Sequence, residues 1–272
     1  YRVLSYGFRI DTAVPAVGER LDELLARFRV GELDGDAARY QIAPEASTGL
    51  LVVDRDGSCV QRARTEAAIV DFVLWDAVTR AVERATDLLA LHAGAVALDG
   101  RGVLLPAPPD SGKTTLTAAL TRSGFSYLSD EVAPIDPETA LLRPFPRALW
   151  MDARAIDRLG GLWEAIPEGL RALRRPQYHV RPEDLRPDPV GGDVPVRLVV
   201  APSYAGGEEV ELEPLSRAEA LILLAENAFN FERFGRRGVE VLARVVGGAR
   251  CFRLRMGDLD VAARTVRGLL DG

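Results

Sequence analysis

Ala107-Pro108-Pro109-Asp110-Ser111-Gly112-Lys113-Thr114 is the stretch on which the reading of this chain turns. It follows the phosphate-loop pattern G-x-x-x-x-G-K-[ST], with alanine at the first glycine position. Of the 34 lysine and arginine residues, Lys113 alone is a lysine. A compact ammonium kept where every other cation is a planar guanidinium points to a site that needs a point charge, and phosphate is the usual reason.

The flanks have the order that the pattern requires. Arg101 to Pro106 is a short apolar strand, and Thr114 to Thr121 opens a helix that Gly124 closes. In that order the N–H groups from Asp110 to Thr115 converge at a helix N-terminus, where unpaired donors and the helix dipole favour an anion. Asp110, Ser111, Gly112, Lys113, Thr114 and Thr115 are therefore the nucleotide-binding candidates. Lys113 would reach the β- and γ-phosphates, and the Thr114 hydroxyl would ligate Mg²⁺. Pro108 and Pro109 lack an N–H but precede the amides that bind, and they stiffen the turn. Ala107 suits its position if its φ is negative. Asp110 must face solvent or a metal.

Working outward, Leu88 to Leu98 is a second apolar run, joined to the loop's strand through Asp99-Gly100. Asp-Gly between apolar runs signals a hairpin, which sets the strand carrying His92 beside the loop. After the helix, Phe125 to Ser129 reads as a short strand delivering Asp130 and Glu131 at its end, where phosphate-loop enzymes commonly place a metal-binding or base carboxylate.

The remaining pattern predicts a small N-terminal α+β module over residues 1–87 and an α/β domain over 88–272. The module has alternation from Arg2 to Asp11, helical spacing from Val17 to Val30, strands at Leu50–Val53 and Cys59–Val60, and a long amphipathic helix from Thr65 to Ala85. In the second part, residues 141–193 read as an irregular, surface-lying insert rich in Pro and Arg. Val196–Val200 and Cys251–Arg255 read as strands, Ser216 to Glu219 as a capping box, Arg237–Val246 as a helix, and Asp258 as the cap of a last helix through Leu270.

With 272 residues and 47% apolar content the chain can bury a real core. A net charge of −6 argues against a general nucleic-acid surface, and the patch Arg171-Ala172-Leu173-Arg174-Arg175 reads as a solvated helix end. Cys59 and Cys251 are too few for a disulfide framework or a zinc site and read as small core or strand residues. His179 reads as structural. No apolar run of about 18 residues and no signal-peptide pattern occurs, so a soluble, cytoplasmic protein with no membrane and no nucleic-acid partner is expected.

Leu91-His92-Ala93-Gly94, the loop, and Ser129-Asp130-Glu131 together resemble the bacterial HPr serine kinase/phosphorylase family, and more closely its smaller HPr kinase-related members. The resemblance spans residues 88–136. Phe145-Pro146-Arg147 and the stretch from Phe252 to Asp260 also look like related proteins. The resemblance implies the phosphate-loop kinase core shared with phosphoenolpyruvate carboxykinases. It implies catalytic roles for Asp130 as general base, Lys113 and His92, with Mg²⁺ on Thr114 and Glu131. The donor would be ATP or another nucleoside triphosphate and the acceptor a hydroxyl, in the first place that of a serine of a peptide or protein. It further implies a place in peptide modification and leaves a homo-oligomer open. Departures are Ala107, Glu131 where the family carries Asp, and no counterpart of the long Arg- and Gly-rich signature, which argues against HPr itself as substrate. Three alternatives stand beside the serine kinase: a small-molecule hydroxyl kinase, a nucleotide-binding accessory or regulatory protein, and a nucleoside triphosphatase that drives motion.

Overall fold

The computed structural model describes residues 1–33, 35–168, 177–207 and 209–271. Two units are distinguished, Tyr1–Thr86 and Asp87–Gly272.

The first unit is one five-stranded sheet of β1 (Arg2–Val3), β2 (Tyr6–Thr12), β3 (Ala38–Pro44), β4 (Leu51–Arg55) and β5 (Ser58–Ala63), in that order. Helix α1 (Pro15–Leu24) links the parallel pair β2 and β3, and α2 (Glu66–Arg84) follows β5. Thr65 caps α2 by accepting from the Ala68 amide. Cys59 is exposed on β5.

The second unit is built on an eight-stranded mixed sheet. Its elements in chain order are β6 (Leu89–Leu98), β7 (Arg101–Pro106), α3 (Lys113–Arg122), β8 (Ser126–Ser129), β9 (Val132–Ile135), β10 (Leu141–Leu142), β11 (Leu149–Met151), α4 (Ala153–Arg158), β12 (Tyr178–Val180), α5 (Pro182–Leu185), β13 (Val194–Tyr204), β14 (Val210–Pro214), α6 (Arg217–Glu226), α7 (Phe231–Gly247), β15 (Arg250–Met256) and α8 (Leu259–Asp271). The sheet order is β10-β9-β6-β7-β13-β15-β14, with β8 also on β6. Strands β7, β13 and β15 run parallel, while β6 returns antiparallel to β7 through Asp99-Gly100. Leu116 and Leu120 of α3 and Val266 of α8 pack with Val96, Leu105 and Leu198 in one core, and Leu224 of α6 and Leu242 of α7 pack with Leu91, Ala95 and Leu104 in another. Helices thus cover both faces of the sheet, a mixed α/β layering.

Strand β6 alternates between those two cores, which decides where His92 goes. Odd positions such as Leu91 and Ala93 enter the α6–α7 core. His92, Gly94 and Val96 take the α3 side. A Cβ on Gly94 would stand 2.4 Å from Thr117 Oγ1 and 3.2 Å from Lys113 Cγ, so the missing side chain lets α3 settle directly on β6.

The insert departs from the expectation of irregular, surface-lying chain. Strands β11 and β12 pair antiparallel, and Leu149, Met151, Ile156, Leu162, Tyr178 and Val180 form a core with Ala118 of α3 and Tyr127 of β8. Enough apolar side chains are spread between its prolines to bury a third cluster. His179 is buried beside Trp150, with ring centroids 5.2 Å apart. The Arg171–Arg175 patch lies outside the described residues. The Ser216–Glu219 box forms as read, as does the Asp258 cap. No helix among the described residues is long and apolar enough to cross a membrane.

Candidate functional site

The segment from Ala107 to Gly112 leaves the end of β7 and turns into α3. Gly112 makes the turn possible at φ +86°, where a Cβ would also meet Met256 Cε at 2.7 Å. Ala107 is buried with no positive φ, so alanine fits there, and Asp110 points its charge to the exposed side. The first amide to find a helical acceptor is Leu116, bonded to the Gly112 carbonyl at 2.9 Å. The N–H groups of Lys113, Thr114 and Thr115 are therefore the orphan donors of the helix start. Ser111 Oγ is buried without a hydrogen-bond partner among the described residues. An anion seated over the loop would satisfy all of these groups.

Lys113 folds back inside this turn. Its Nζ donates to the Ala107 carbonyl at 3.1 Å and lies 2.7 Å from His92 Nε2, and the residue is 5% exposed. Burial pushes its pKa down, against the attraction of Glu131 and Asp130. A bound phosphate would favour the ammonium by the opposite argument.

The paired acids sit at a break in the sheet. β8 pairs with β6 at Ala95–Ala97 and β9 pairs with it at Leu89–His92, so Asp130 and Glu131 fall in the gap opposite Ala93. Ser129 Oγ accepts from the Glu131 and Val132 amides, and the two carboxylates meet different neighbours. Glu131, with a side chain 37% exposed, sets Oε1 3.3 Å from His92 Nε2 and Oε2 3.5 Å from an Arg147 nitrogen. Burial alone would raise its pKa, but the His92 hydrogen bond and the charges of Arg147, His92 and Lys113 prevail and bring it to about 2. Nε2 serves one neighbour at a time: bare, it accepts from Lys113, and protonated, it donates to Glu131.

Asp130 is placed otherwise than a freely reachable base. It is 1% exposed, with Oδ1 accepting from Arg147 Nε at 3.1 Å and lying 3.2 Å from the Tyr127 hydroxyl, and Oδ2 3.4 Å from the second Arg147 nitrogen. Burial raises its pKa in spite of the Arg147 charge. The carboxylate that faces Lys113 and His92 is Glu131. Arg147, which bridges both acids, comes from the insert, and Phe145 ties that segment to β8 by donating its amide to the Leu128 carbonyl at 2.7 Å. Arg147 and Tyr127 were not among the residues expected from sequence; the Phe-Pro-Arg triplet was the available signal.

A magnesium ion fits the donor set. Glu131 supplies a carboxylate that its neighbours keep ionised, and Thr114 a hydroxyl in the first turn of α3. Mg²⁺ is usually held by one or two such groups together with phosphate oxygens and water. Among the described residues no group of three or more His, Cys, Asp or Glu side chains could hold a metal alone.

No protein-family model matches this chain, and no curated protein does. Among solved structures the chain is similar to the Hpr(Ser) kinase/phosphatase from Coxiella burnetii at 14% sequence identity and a TM-score of 0.33, covering 66% of this chain and 88% of that one. A fold likeness at that level does not carry a function, which has to be argued from the site.

Proposed function

We propose that the protein is a magnesium-dependent kinase that transfers the γ-phosphoryl group of a nucleotide, in the first place ATP, to a hydroxyl, with a serine of a peptide or protein as the acceptor. One observation carries the reading. A buried lysine at a helix start with free amides shares a hydrogen-bonded cluster with a histidine, two carboxylates and an arginine. Phosphoryl transfer needs those parts: donors for a polyphosphate, a charge that tracks the moving phosphoryl group, and a carboxylate for the acceptor proton.

In this mechanism the amides of Lys113 to Thr115 and the Ser111 hydroxyl cradle the phosphates. Lys113 exchanges the Ala107 carbonyl and His92 for β- and γ-phosphate oxygens, and His92, released from the lysine, turns to Glu131. Magnesium, when bound by Thr114 and Glu131, would neutralise phosphate charge. Asp130 takes the proton of the acceptor hydroxyl as its oxygen bonds to the γ-phosphorus and the bond to the β-phosphate oxygen breaks, leaving the diphosphate. For that step Arg147 has to release Asp130.

The closed Arg147–Asp130 contact favours a second reading, a nucleotide-binding accessory protein that does not transfer. Radiolabelled ATP with peptide libraries separates the two. Transfer that Asp130→Asn abolishes with nucleotide binding retained supports the kinase. Binding without transfer to any peptide or small hydroxyl acceptor supports the accessory protein, and steady phosphate release without acceptor would indicate a hydrolase.

A further inference from the structure

We propose that Tyr204 and Arg158 form the nucleoside subsite, with the base of the nucleotide stacking on the paired Tyr204 ring and Arg158 guanidinium. The inference rests on the nucleotide-binding part of the proposed function and adds the residues that would hold the other end of the ligand.

Sheet order supplies the direction. Asp130, Glu131 and His92 lie on the β6 side of β7, whereas β13 and β15 lie on its other side. A triphosphate whose terminal phosphate meets Lys113, His92 and Glu131 therefore carries its nucleoside toward the carboxyl ends of β13 and β15. Ligands of parallel sheets sit outside the carboxyl ends of the strands. The last residues of those strands, Tyr204 and Met256, are register partners. Both border the phosphate loop: a Cβ placed on Gly112 would be 2.7 Å from Met256 Cε and 3.4 Å from Tyr204 Cβ.

Chemistry supplies the ligand class. Tyr204 is 40% exposed beside Gly112, so its ring is open to a ligand at the loop, and Arg158 lies over that ring at 4.1 Å from the centroid. Arg122 of α3 holds the end of α4 by donating to the Leu159 and Gly160 carbonyls, so Arg158 is presented by a fixed element. An arginine stacked on an aromatic ring offers a flat cationic face, which suits a planar, electron-rich heterocycle. Stacking of this kind tolerates different bases, so the site should accept purine triphosphates with little selection between them.

The test measures binding of ATP and of inorganic tripolyphosphate, each with magnesium, to the full chain and to Tyr204→Ala, Tyr204→Phe and Lys113→Ala. Tyr204→Ala is expected to weaken ATP about tenfold and to leave tripolyphosphate unchanged, while Tyr204→Phe retains ATP affinity. Unchanged tripolyphosphate binding also shows that the loop is intact. If Tyr204→Ala weakens both ligands alike, the tyrosine merely supports Gly112 and the subsite is refuted; if it weakens neither, the base binds elsewhere. The proposed function fails separately: in that case neither ligand binds the parent in a manner that Lys113→Ala abolishes, and the subsite falls with it.

Discussion

Lys113 Nζ lies 2.7 Å from His92 Nε2 and 3.1 Å from the carbonyl of Ala107, the residue that opens its own loop. The lysine is thus held inside its own turn, and a single small cation fits between those two acceptors. A guanidinium is broader and donates in fixed directions, so Lys113→Arg keeps the charge but cannot keep the geometry. We expect that variant to lose ATP affinity by at least tenfold in calorimetric titration. Parent-like binding by the arginine would refute the role given to a compact cation.

Arg147 holds Asp130 through two contacts and is largely buried with it. Removing one partner of such a pair leaves a charge without compensation, which costs about 3–5 kcal/mol. Arg147→Gln should therefore lower the urea midpoint substantially, and Asp130→Asn in the same chain should restore part of the loss. Additive losses in the double variant would mean that the two side chains do not depend on each other.

Local signals were legible wherever a few adjacent residues determine the backbone. Asp99 and Gly100 turn at φ of +50° and +71°, as an Asp-Gly hairpin requires. Ser216 and Asp258 cap the helices that their patterns announced. Strand β9 escaped notice because it is four residues long and contains Pro134, which breaks the pattern of a strand. Arg147 was hidden for another reason. Seventeen residues separate it from Asp130, and the bond from Phe145 to Leu128 that brings them together depends on the insert having its own core. No short-range pattern encodes that contact. Periodicity likewise could not tell which acid would meet His92, since both lie in the gap between β8 and β9, where strand alternation is interrupted.

Gly94 is required by contact with α3 rather than by its own backbone angles. Thr117 Oγ1 donates to the Lys113 carbonyl at 2.9 Å, so it cannot swing freely away from a new methyl group whose ideal position is 2.4 Å distant. Gly94→Ala should push α3 off β6 and cost about 1–3 kcal/mol, as overpacking typically does. Nucleotide affinity should fall with it, because Lys113 opens that helix. Adding Thr117→Ala removes the clashing oxygen and should recover stability. A Gly94→Ala chain with unchanged melting temperature and unchanged ATP affinity would contradict the close approach.

Glu131 makes acid stability a reporter of the site. Its folded pKa of about 2 stands below the ordinary 4.5, so the folded state binds fewer protons than the unfolded chain between those values, and stability rises with pH across the window. The contribution is complete above about pH 4.5 and is lost as the pH falls through about 2. Because the side chain is partly exposed, solvent and salt reduce it. Glu131→Gln should therefore show a shallower fall in urea midpoint between pH 5 and pH 3 than the parent, and the difference should shrink in high salt. Asp130 acts in the opposite sense, since its raised pKa makes the folded state bind the extra proton, so Asp130→Asn should not reproduce the shallower slope. Equal slopes in Glu131→Gln and the parent would show that His92, Arg147 and Lys113 do not hold this carboxylate ionised.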